Sequence, residues 1–353
     1  MAGGDVHSMK IAVIGGGVIG LACARALARR GAAVTLYDQG EIGRGASWVA
    51  GGMLAATFEA PEAEPALRAL MHESAALWGP FAEVLEAETG CHVGLRREGT
   101  LLVSQSAAHL AREQEALAGA GEVIALDGDA LRRREPRLEA AGALFAPGDH
   151  QVDARALVLA LIKACQDAGV VLYAHAPVGH IVFKGARTIG VSVGGETHPA
   201  DLVVVAAGAW AAALGLEAFS HIAPVKGQIL ALQMDPAAPL LAHVVWGEGC
   251  YLIPRTDGRL VVGASVEPAA GFDARLSEDV LRELRARAVR VLPAAEHLPQ
   301  TEAWCGFRPG PAHRMPVIGP CGIDGVVGAV GHYRNGILLA PVTVEKLLET
   351  LPV

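Results

Sequence analysis

The chain has 353 residues, 52% hydrophobic content, 43 glycines and a formal net charge of −8. That length allows two interleaved domains or one very large one, and the negative charge argues against nucleic acid as a partner, because phosphate binding is mainly cationic. With no signal peptide, no apolar stretch of membrane-spanning length and six scattered cysteines without a C-x-x-C pair, the sequence predicts a cytoplasmic protein with reduced thiols, no metal site and no membrane partner.

A glycine-rich turn follows the first apolar run of the chain. Residues 11–14 predict a short buried strand and residues 18–29 a helix, with a G-x-G-x-x-G fingerprint between them. In that context Gly15 allows a tight turn, Gly17 lets the backbone approach a pyrophosphate, and Gly20 lets the helix pack closely on the strand. The helix start also offers unpaired N–H groups and a positive dipole end to phosphates. The sequence therefore predicts a dinucleotide site.

A second strand is predicted at residues 33–37, and Asp38 stands at its end, where an acid accepts hydrogen bonds from ribose hydroxyls. An acid there suits NAD as well as FAD. Only one fingerprint is present, so the chain lacks the second nucleotide domain of a pyridine-nucleotide-dependent flavin reductase. The glycines spaced by three from Gly319 to Gly331 are interpreted as tight turns around short strands.

The next part of the chain changes from small residues to helical patterns. Residues 39–53 are rich in small side chains, so this segment is either a flexible connector or a close lining for a ligand. A helix is predicted at 65–89, a strand at 99–104 and a polar helix at 107–118. The arginine run at 132–134 is typical of a solvated helix face, with an anion site as the alternative.

The second half of the chain contains two kinds of sheet. Asp153 is placed to cap a helix, and residues 202–206 predict a strand buried on both faces, as in a parallel sheet. Residues 225–300 predict an antiparallel sheet with one helix at 277–291, and residues 319–353 return to glycine-spaced strand and helix. The predicted fold class is therefore α/β, a Rossmann-like nucleotide-binding domain with a second, mainly antiparallel β (α+β) substrate domain.

Six segments resemble the D-amino-acid oxidase superfamily, and within it the glycine oxidases of thiamine biosynthesis. The resemblance covers nearly the whole chain, and the C-terminal segment carries most of its specificity. The segments are the N-terminal fingerprint and residues 47–53 (SWVAGGM), 202–210 (LVVVAAGAW), 251–254 (YLIP), 306–310 (GFRPG) and 331–341 (GHYRNGILLAP).

This resemblance implies a non-covalent FAD cofactor and an oxidase that deaminates glycine, sarcosine, D-alanine or D-proline. In the family a hydride passes from the substrate to flavin N5, and molecular oxygen is then reduced to hydrogen peroxide. The resemblance also implies a role in making the thiazole of thiamine, and a homo-oligomer. Two alternatives stay open: a dehydrogenase that passes electrons to a quinone or carrier, and a non-catalytic flavin-binding subunit.

Three side chains are assigned to catalysis by the same resemblance. Arg308 would clamp the substrate carboxylate with its planar fork, Tyr251 would add a hydroxyl hydrogen bond, and Arg334 would lie near the flavin rim. The alternatives are, in the same order, an ordinary surface arginine, an aromatic side chain in the core of a strand, and a solvated charge on a loop. No general base is assigned, because a neutral substrate amine needs none. Cys305 lacks the polar string that follows the flavin-linked cysteine of some sarcosine oxidases, so covalent attachment is not expected.

The residues expected to bind FAD cluster in the same segments, with a core methionine as the alternative for Met53. They are Gly15, Gly17, Val18, Ile19, Gly20, Asp38, Gln39, Arg44, Ser47, Trp48, Gly51, Gly52, Met53, Val178, Ala207, Gly208, Trp210, His332, Tyr333, Arg334, Asn335, Gly336, Ile337 and Leu338. The resemblance assigns residues 1–90, 150–223 and 307–353 to a discontinuous FAD-binding domain. It assigns residues 91–149 and 224–306 to the substrate-binding domain.

Overall fold

A computed structural model of the protein describes residues 9–310 and 315–351. The strands are β1 (Lys10–Ile14), β2 (Ala33–Tyr37), β3 (Met53–Leu54), β4 (Thr100–Ser104), β5 (Ile124–Asp127), β6 (Gly142–Ala146), β7 (His150–Gln151), β8 (Val171–Tyr173), β9 (Val178–Lys184), β10 (Arg187–Val193), β11 (Glu196–Pro199), β12 (Leu202–Val205), β13 (Ala223–Gln233), β14 (Val244–Gly247), β15 (Cys250–Pro254), β16 (Arg259–Gly263), β17 (Gln300–Gly310), β18 (Val317–Pro320) and β19 (Val326–Val330). The α-helices are α1 (Val18–Arg29), α2 (Ala46–Val49), α3 (Pro65–Thr89), α4 (Ala107–Ala116), α5 (Gly128–Arg134), α6 (Ala154–Asp167), α7 (Glu278–Val291) and α8 (Ala340–Glu349). Short 3₁₀ helices lie at Ala60–Glu62, Gly208–Leu214, Glu217–Phe219, Pro268–Ala270 and Pro293–His297.

The first sheet is six-stranded, in the order β18-β19-β12-β1-β2-β8, and its strands pair in parallel except at the β18–β19 edge. The apolar faces of α1, α3, α6 and α8 cover one side. The antiparallel meander β9-β10-β11 covers the other side through Ile181 and Val191. Burial on both sides explains the continuous apolar run of β12, and it confirms the predicted Rossmann-like sheet.

The second sheet has eight strands in the order β17-β13-β16-β15-β14-β4-β6-β5. Its pairings are antiparallel except between β14 and β4, which run parallel. Helix α7 packs on one face through buried Leu284 and Ala288. The predicted mainly antiparallel β domain is confirmed, and the strands from residues 100–146 extend the block predicted at 225–300.

The division of the chain into two domains stays a prediction. The boundary between 306 and 307 falls inside β17, and the boundary between 223 and 224 falls at the start of β13. Both strands therefore run across the proposed division, and Arg308 belongs to the eight-stranded sheet.

Two local interpretations agree with the structure. The three arginines at 132–134 are exposed in the last turn of α5, as expected for a solvated helix face. Gly319, Gly322, Gly325 and Gly331 have positive φ angles around β18 and β19, as expected for tight turns. No helix in the described ranges is both long enough and apolar enough to cross a membrane.

Candidate active site

The glycine-rich turn is fixed by backbone that comes too close for any side chain. Gly15 has a φ of +105°, and a Cβ there would overlap the carbonyl oxygen of Ala206 at the end of β12. A Cβ on Gly20 would overlap the carbonyl oxygen of Gly15. The first turn of α1 therefore packs directly on the end of β1, as the fingerprint predicts.

Two polar side chains hold this turn in place. Asp38 accepts hydrogen bonds from the backbone N–H of Gly16 at 2.6 Å and of Gly40 at 2.8 Å. The Ser47 hydroxyl oxygen accepts the N–H of Val18 at 2.9 Å, which ties the small-residue segment to the start of α1. Asp38 thus orders the glycine-rich turn, while the ribose contact predicted for it remains a proposal.

A cavity of about 1240 Å³ runs from this turn to the face of the eight-stranded sheet. That volume exceeds the ~300–1000 Å³ usual for small-molecule sites, so it has room for a dinucleotide together with a small substrate. Gly45 and Gly208 line it, and a Cβ on either would meet no protein atom within 4 Å, so both present bare backbone to the cavity. With the start of α1 also in the wall, the lining fits the FAD predicted from the sequence.

Most residues predicted for the site line this cavity. They are Gly15, Gly17, Val18, Ile19, Asp38, Gln39, Arg44, Ser47, Gly51, Gly52, Met53, Val178, Ala207, Gly208, Trp210, Tyr251, Arg308, His332, Tyr333, Arg334, Gly336 and Ile337. Their roles toward FAD and substrate remain proposals. What the fold shows is that segments far apart in the chain converge on one space.

Four predicted residues lie outside the cavity lining, each for a clear reason. Gly20 packs against the turn, as described above. Trp48 turns to the opposite side of α2, where the Arg44 guanidinium lies 3.6 Å from its ring centre. The Asn335 side chain points to the sulfur of Met71. Leu338 is buried against α3, and its carbonyl accepts hydrogen bonds from Ser74 at 2.6 Å and Trp78 at 2.8 Å.

Arg308 lies across the cavity-facing side of the eight-stranded sheet. A Cβ on Gly227, in the neighbouring strand β13, would overlap its guanidinium group. The guanidinium Nη1 donates to the carbonyl oxygens of Ser265 at 3.1 Å and Lys226 at 3.4 Å. A glycine and two carbonyls therefore keep this side chain flat on the sheet and within the cavity wall, so it is not a surface arginine.

Tyr251 reaches the same face from the other side. Its ring lies over Gly263 of β16, where a Cβ would overlap the phenol, and burial raises the pKa of its hydroxyl to about 12. Three strand spacings of about 4.8 Å separate β17 from β15, and the two side chains lean into that gap over the glycines. The phenol is protonated at neutral pH, so Tyr251 can donate a hydrogen bond to an anion bound beside Arg308.

Arg334 is paired with two carboxylates. Its Nε lies 3.4 Å from Glu59, and its Nη2 lies 3.0 Å from Glu62. Glu59 is only 9% exposed, and burial raises its pKa despite the opposing charge of Arg334. Asp149, fully buried, accepts the N–H groups of Thr57 and Phe58 and so fixes the segment that carries Glu59. Arg334 is therefore held at the cavity and is not a freely solvated loop charge.

The sequence reasoning missed Glu59, Gly227, Gly263 and Trp246, all of which line the cavity. A glycine inside a predicted strand is a signal for close approach of another group, and it could have identified Gly227 and Gly263. Glu59 is followed closely by Glu62 and Glu64, and no local pattern distinguishes its role from theirs. Cys305 lies outside the lining, with its sulfur 3.2 Å from the carbonyl oxygen of Ala274, in accord with a non-covalent cofactor.

His332 is buried and neutral. Thr343 has one hydroxyl proton, which it donates to Leu339, so its oxygen accepts from His332 at 2.9 Å and the imidazole proton lies on Nε2. Burial lowers the pKa of His332 to about 3. The cavity wall at this point therefore carries no charge from histidine at neutral pH.

This histidine should make the protein less stable in acid. Its folded pKa of about 3 lies below the unfolded value of ~6.5, so below pH ~6.5 the unfolded chain binds the extra proton and stability falls as pH falls. Between pH ~7.5 and ~5.5 the free energy of unfolding should drop by about 1.4 kcal/mol more in the native protein than in His332→Gln. Urea unfolding at both pH values measures this, with exposed His297→Gln as the control. An equal drop in all three proteins would contradict the assignment.

Comparisons with known proteins agree with this geometry. The family model described as FAD dependent oxidoreductase (DAO) matches residues 10–349. A glycine oxidase of Geobacillus kaustophilus is 37% identical over 349 residues, covering 96% of this chain and 91% of that protein. The crystal structure of glycine oxidase from Geobacillus kaustophilus has a TM-score of 0.89 and 35% identity, covering 98% of this chain and 94% of that one.

A fused relative also matches. The bifunctional protein ThiO/ThiG of Synechocystis is 35% identical over 351 residues, which are 97% of this chain and 51% of that protein. With the family model covering almost the whole chain and the cavity lined as the fingerprint predicts, this chain belongs to the family of FAD-dependent oxidoreductases and is an enzyme with FAD as its cofactor.

Proposed function

We propose that the chain is an oxidase that deaminates glycine and other small amines or D-amino acids, with sarcosine, D-alanine and D-proline as further candidates. One observation carries the proposal: Arg308 and Tyr251 lean over Gly227 and Gly263 on the cavity-facing side of the sheet. A guanidinium fork beside a protonated phenol suits a single carboxylate. The similarity to glycine oxidases supports the choice of amino acid.

The residues would act mainly by positioning. Arg308 would bind both carboxylate oxygens and Tyr251 would donate to one of them, which fixes the direction of the substrate Cα–H bond. Arg334 is paired with Glu59 and Glu62, so its positive charge is offset by neighbouring carboxylates. When bound, FAD supplies the redox chemistry, accepting a hydride from the substrate and passing two electrons to oxygen. The balanced reaction turns glycine, oxygen and water into glyoxylate, ammonia and hydrogen peroxide.

A role in making the thiazole of thiamine is part of the proposal. It is supported by the match to the bifunctional protein ThiO/ThiG, of which this chain spans about half. In that setting the imine formed from glycine would be the useful product, before water converts it to glyoxylate.

The proposed activity is tested by offering the purified yellow protein glycine, sarcosine, D-alanine and D-proline in air, with L-alanine as the control. We expect peroxide and, from glycine, an equal amount of glyoxylate. Reduction of a quinone dye without peroxide would indicate a dehydrogenase. Neither product from any amine would indicate a non-catalytic flavin-binding subunit.

A further inference from the structure

Trp246, on β14, lines the cavity beside Tyr251. It stands directly opposite Tyr251 of β15 in the antiparallel register. Directly paired residues of neighbouring strands project from the same face of a sheet. The indole therefore lies beside the phenol, on the same cavity-facing side as Arg308, Gly227 and Gly263.

The position of the indole is fixed from behind. The ring of Phe58 packs on it, with 5.9 Å between ring centres and 53° between ring planes. Phe58 is 6% exposed, and Asp149 accepts its backbone N–H at 2.9 Å. The next residue, Glu59, pairs with Arg334. Trp246 thus stands between Tyr251 and the segment that holds Arg334, so it cannot move aside without disturbing packed neighbours.

The indole nitrogen of Trp246 is unpaired within the described structure. The buried Nε1 of Trp246 has no hydrogen-bond partner among the residues that the structure describes. Buried polar groups are nearly always paired, and leaving one unpaired costs about 1–3 kcal/mol. Since this atom is buried from the cavity surface as well as from solvent, it does not face the cavity, and Trp246 meets a bound molecule through the apolar part of its side chain.

We propose that Trp246 is a specificity-determining residue: its indole closes the space beside Tyr251 against substrates with large side chains. This inference rests on the proposed amine-oxidase function and names its substrate class, amino acids whose side chain is small or absent. An aromatic wall can exclude a larger side chain by steric overlap alone, and a misfit of one methylene is worth roughly 10–200-fold in kcat/KM.

The test is kcat/KM for glycine, D-alanine and D-norvaline in the FAD-loaded native protein, Trp246→Ala and Trp246→Phe. In Trp246→Ala the ratio of D-norvaline to glycine should rise by at least about tenfold. Trp246→Phe keeps a smaller aromatic wall, so the ratio should rise less than in Trp246→Ala. If Trp246→Ala fails to fold, Trp246→Val serves in its place.

The matched control is Trp304→Ala. Trp304 is also a partly buried indole of the same sheet, but its N–H is already paired with the carbonyl of Val49 at 3.1 Å, and it does not line the cavity. The Trp304→Ala variant should shift the midpoint of thermal unfolding without changing the ratio of kcat/KM for D-norvaline to that for glycine. An unchanged ratio in Trp246→Ala, with FAD bound and glycine still oxidised, overturns the inference. A native protein that oxidises none of the three amino acids overturns the proposed function instead.

Discussion

Replacing Arg308 with alanine should lower kcat/KM for glycine by about 10²- to 10⁴-fold while the protein keeps its FAD. Two charge-assisted hydrogen bonds to a carboxylate would be lost, each worth about 1.5–3 kcal/mol, and 1.4 kcal/mol is a factor of ten. FAD should stay bound because the glycine turn and the start of α1 lie at the other end of the cavity. Anaerobic rapid mixing measures flavin reduction directly, apart from any later step.

Two further variants sharpen this prediction. Arg308→Lys keeps the charge without the fork, so its loss should be intermediate. The control variant is Arg155→Ala. Arg155, in α6, is partly buried and pairs at 2.9 Å with Glu302 of β17, the strand that carries Arg308, but it lies outside the cavity lining. This variant should leave the rate of flavin reduction by glycine nearly unchanged. Reduction kinetics in Arg308→Ala equal to those of the native protein would end its assignment as the carboxylate clamp.

Replacing Gly20 with alanine should weaken FAD binding by at least about tenfold. The added Cβ would overlap the carbonyl oxygen of Gly15, so the phosphate-binding turn must move away from α1. Overpacking of this kind costs about 1–3 kcal/mol. Because alanine is otherwise the better helix former by about 1 kcal/mol, a loss would report the contact with Gly15 and not the backbone of α1. The flavin content after purification and titration of the apoprotein measure the effect.

Gly148→Ala is the matched control. A Cβ at Gly148 would meet no atom within 4 Å, its φ is not in the left-handed region, and it lies outside the cavity lining. This variant should bind FAD as the native protein does. If Gly20→Ala also binds FAD with native affinity, close contact between α1 and the turn is not what shapes the cofactor site.

Local patterns were enough to predict the strand, turn and helix around the glycine fingerprint. The alternation of apolar and small residues around Gly15 and the helix start at Val18 depend only on neighbours in sequence, and α1 begins and ends where the pattern places it. The buried run of β12 and the capping of α6 by Asp153 are local in the same sense. Resemblance added Arg308 and Tyr251, which no spacing argument alone would have brought together.

The remaining part of the site depends on register between distant strands. Gly227 meets Arg308 across 81 positions of sequence only because β13 pairs with β17 as it does. Trp246 faces the cavity because it pairs with Tyr251. Trp48 was predicted to bind FAD but lies outside the cavity lining. The other residues of its motif, 47–53, do line the cavity. The four-residue helix α2 points neighbouring side chains in different directions, and the motif alone does not indicate which of them faces the cavity.

Anaerobic mixing of the native yellow protein with glycine tests the central claim most directly. We predict that the absorbance of the oxidised flavin disappears at a rate that saturates with glycine, and that admitting oxygen restores it with one hydrogen peroxide per flavin. A flavin that stays oxidised with glycine, sarcosine, D-alanine and D-proline alike would contradict the account of this cavity as the site of an amine oxidase.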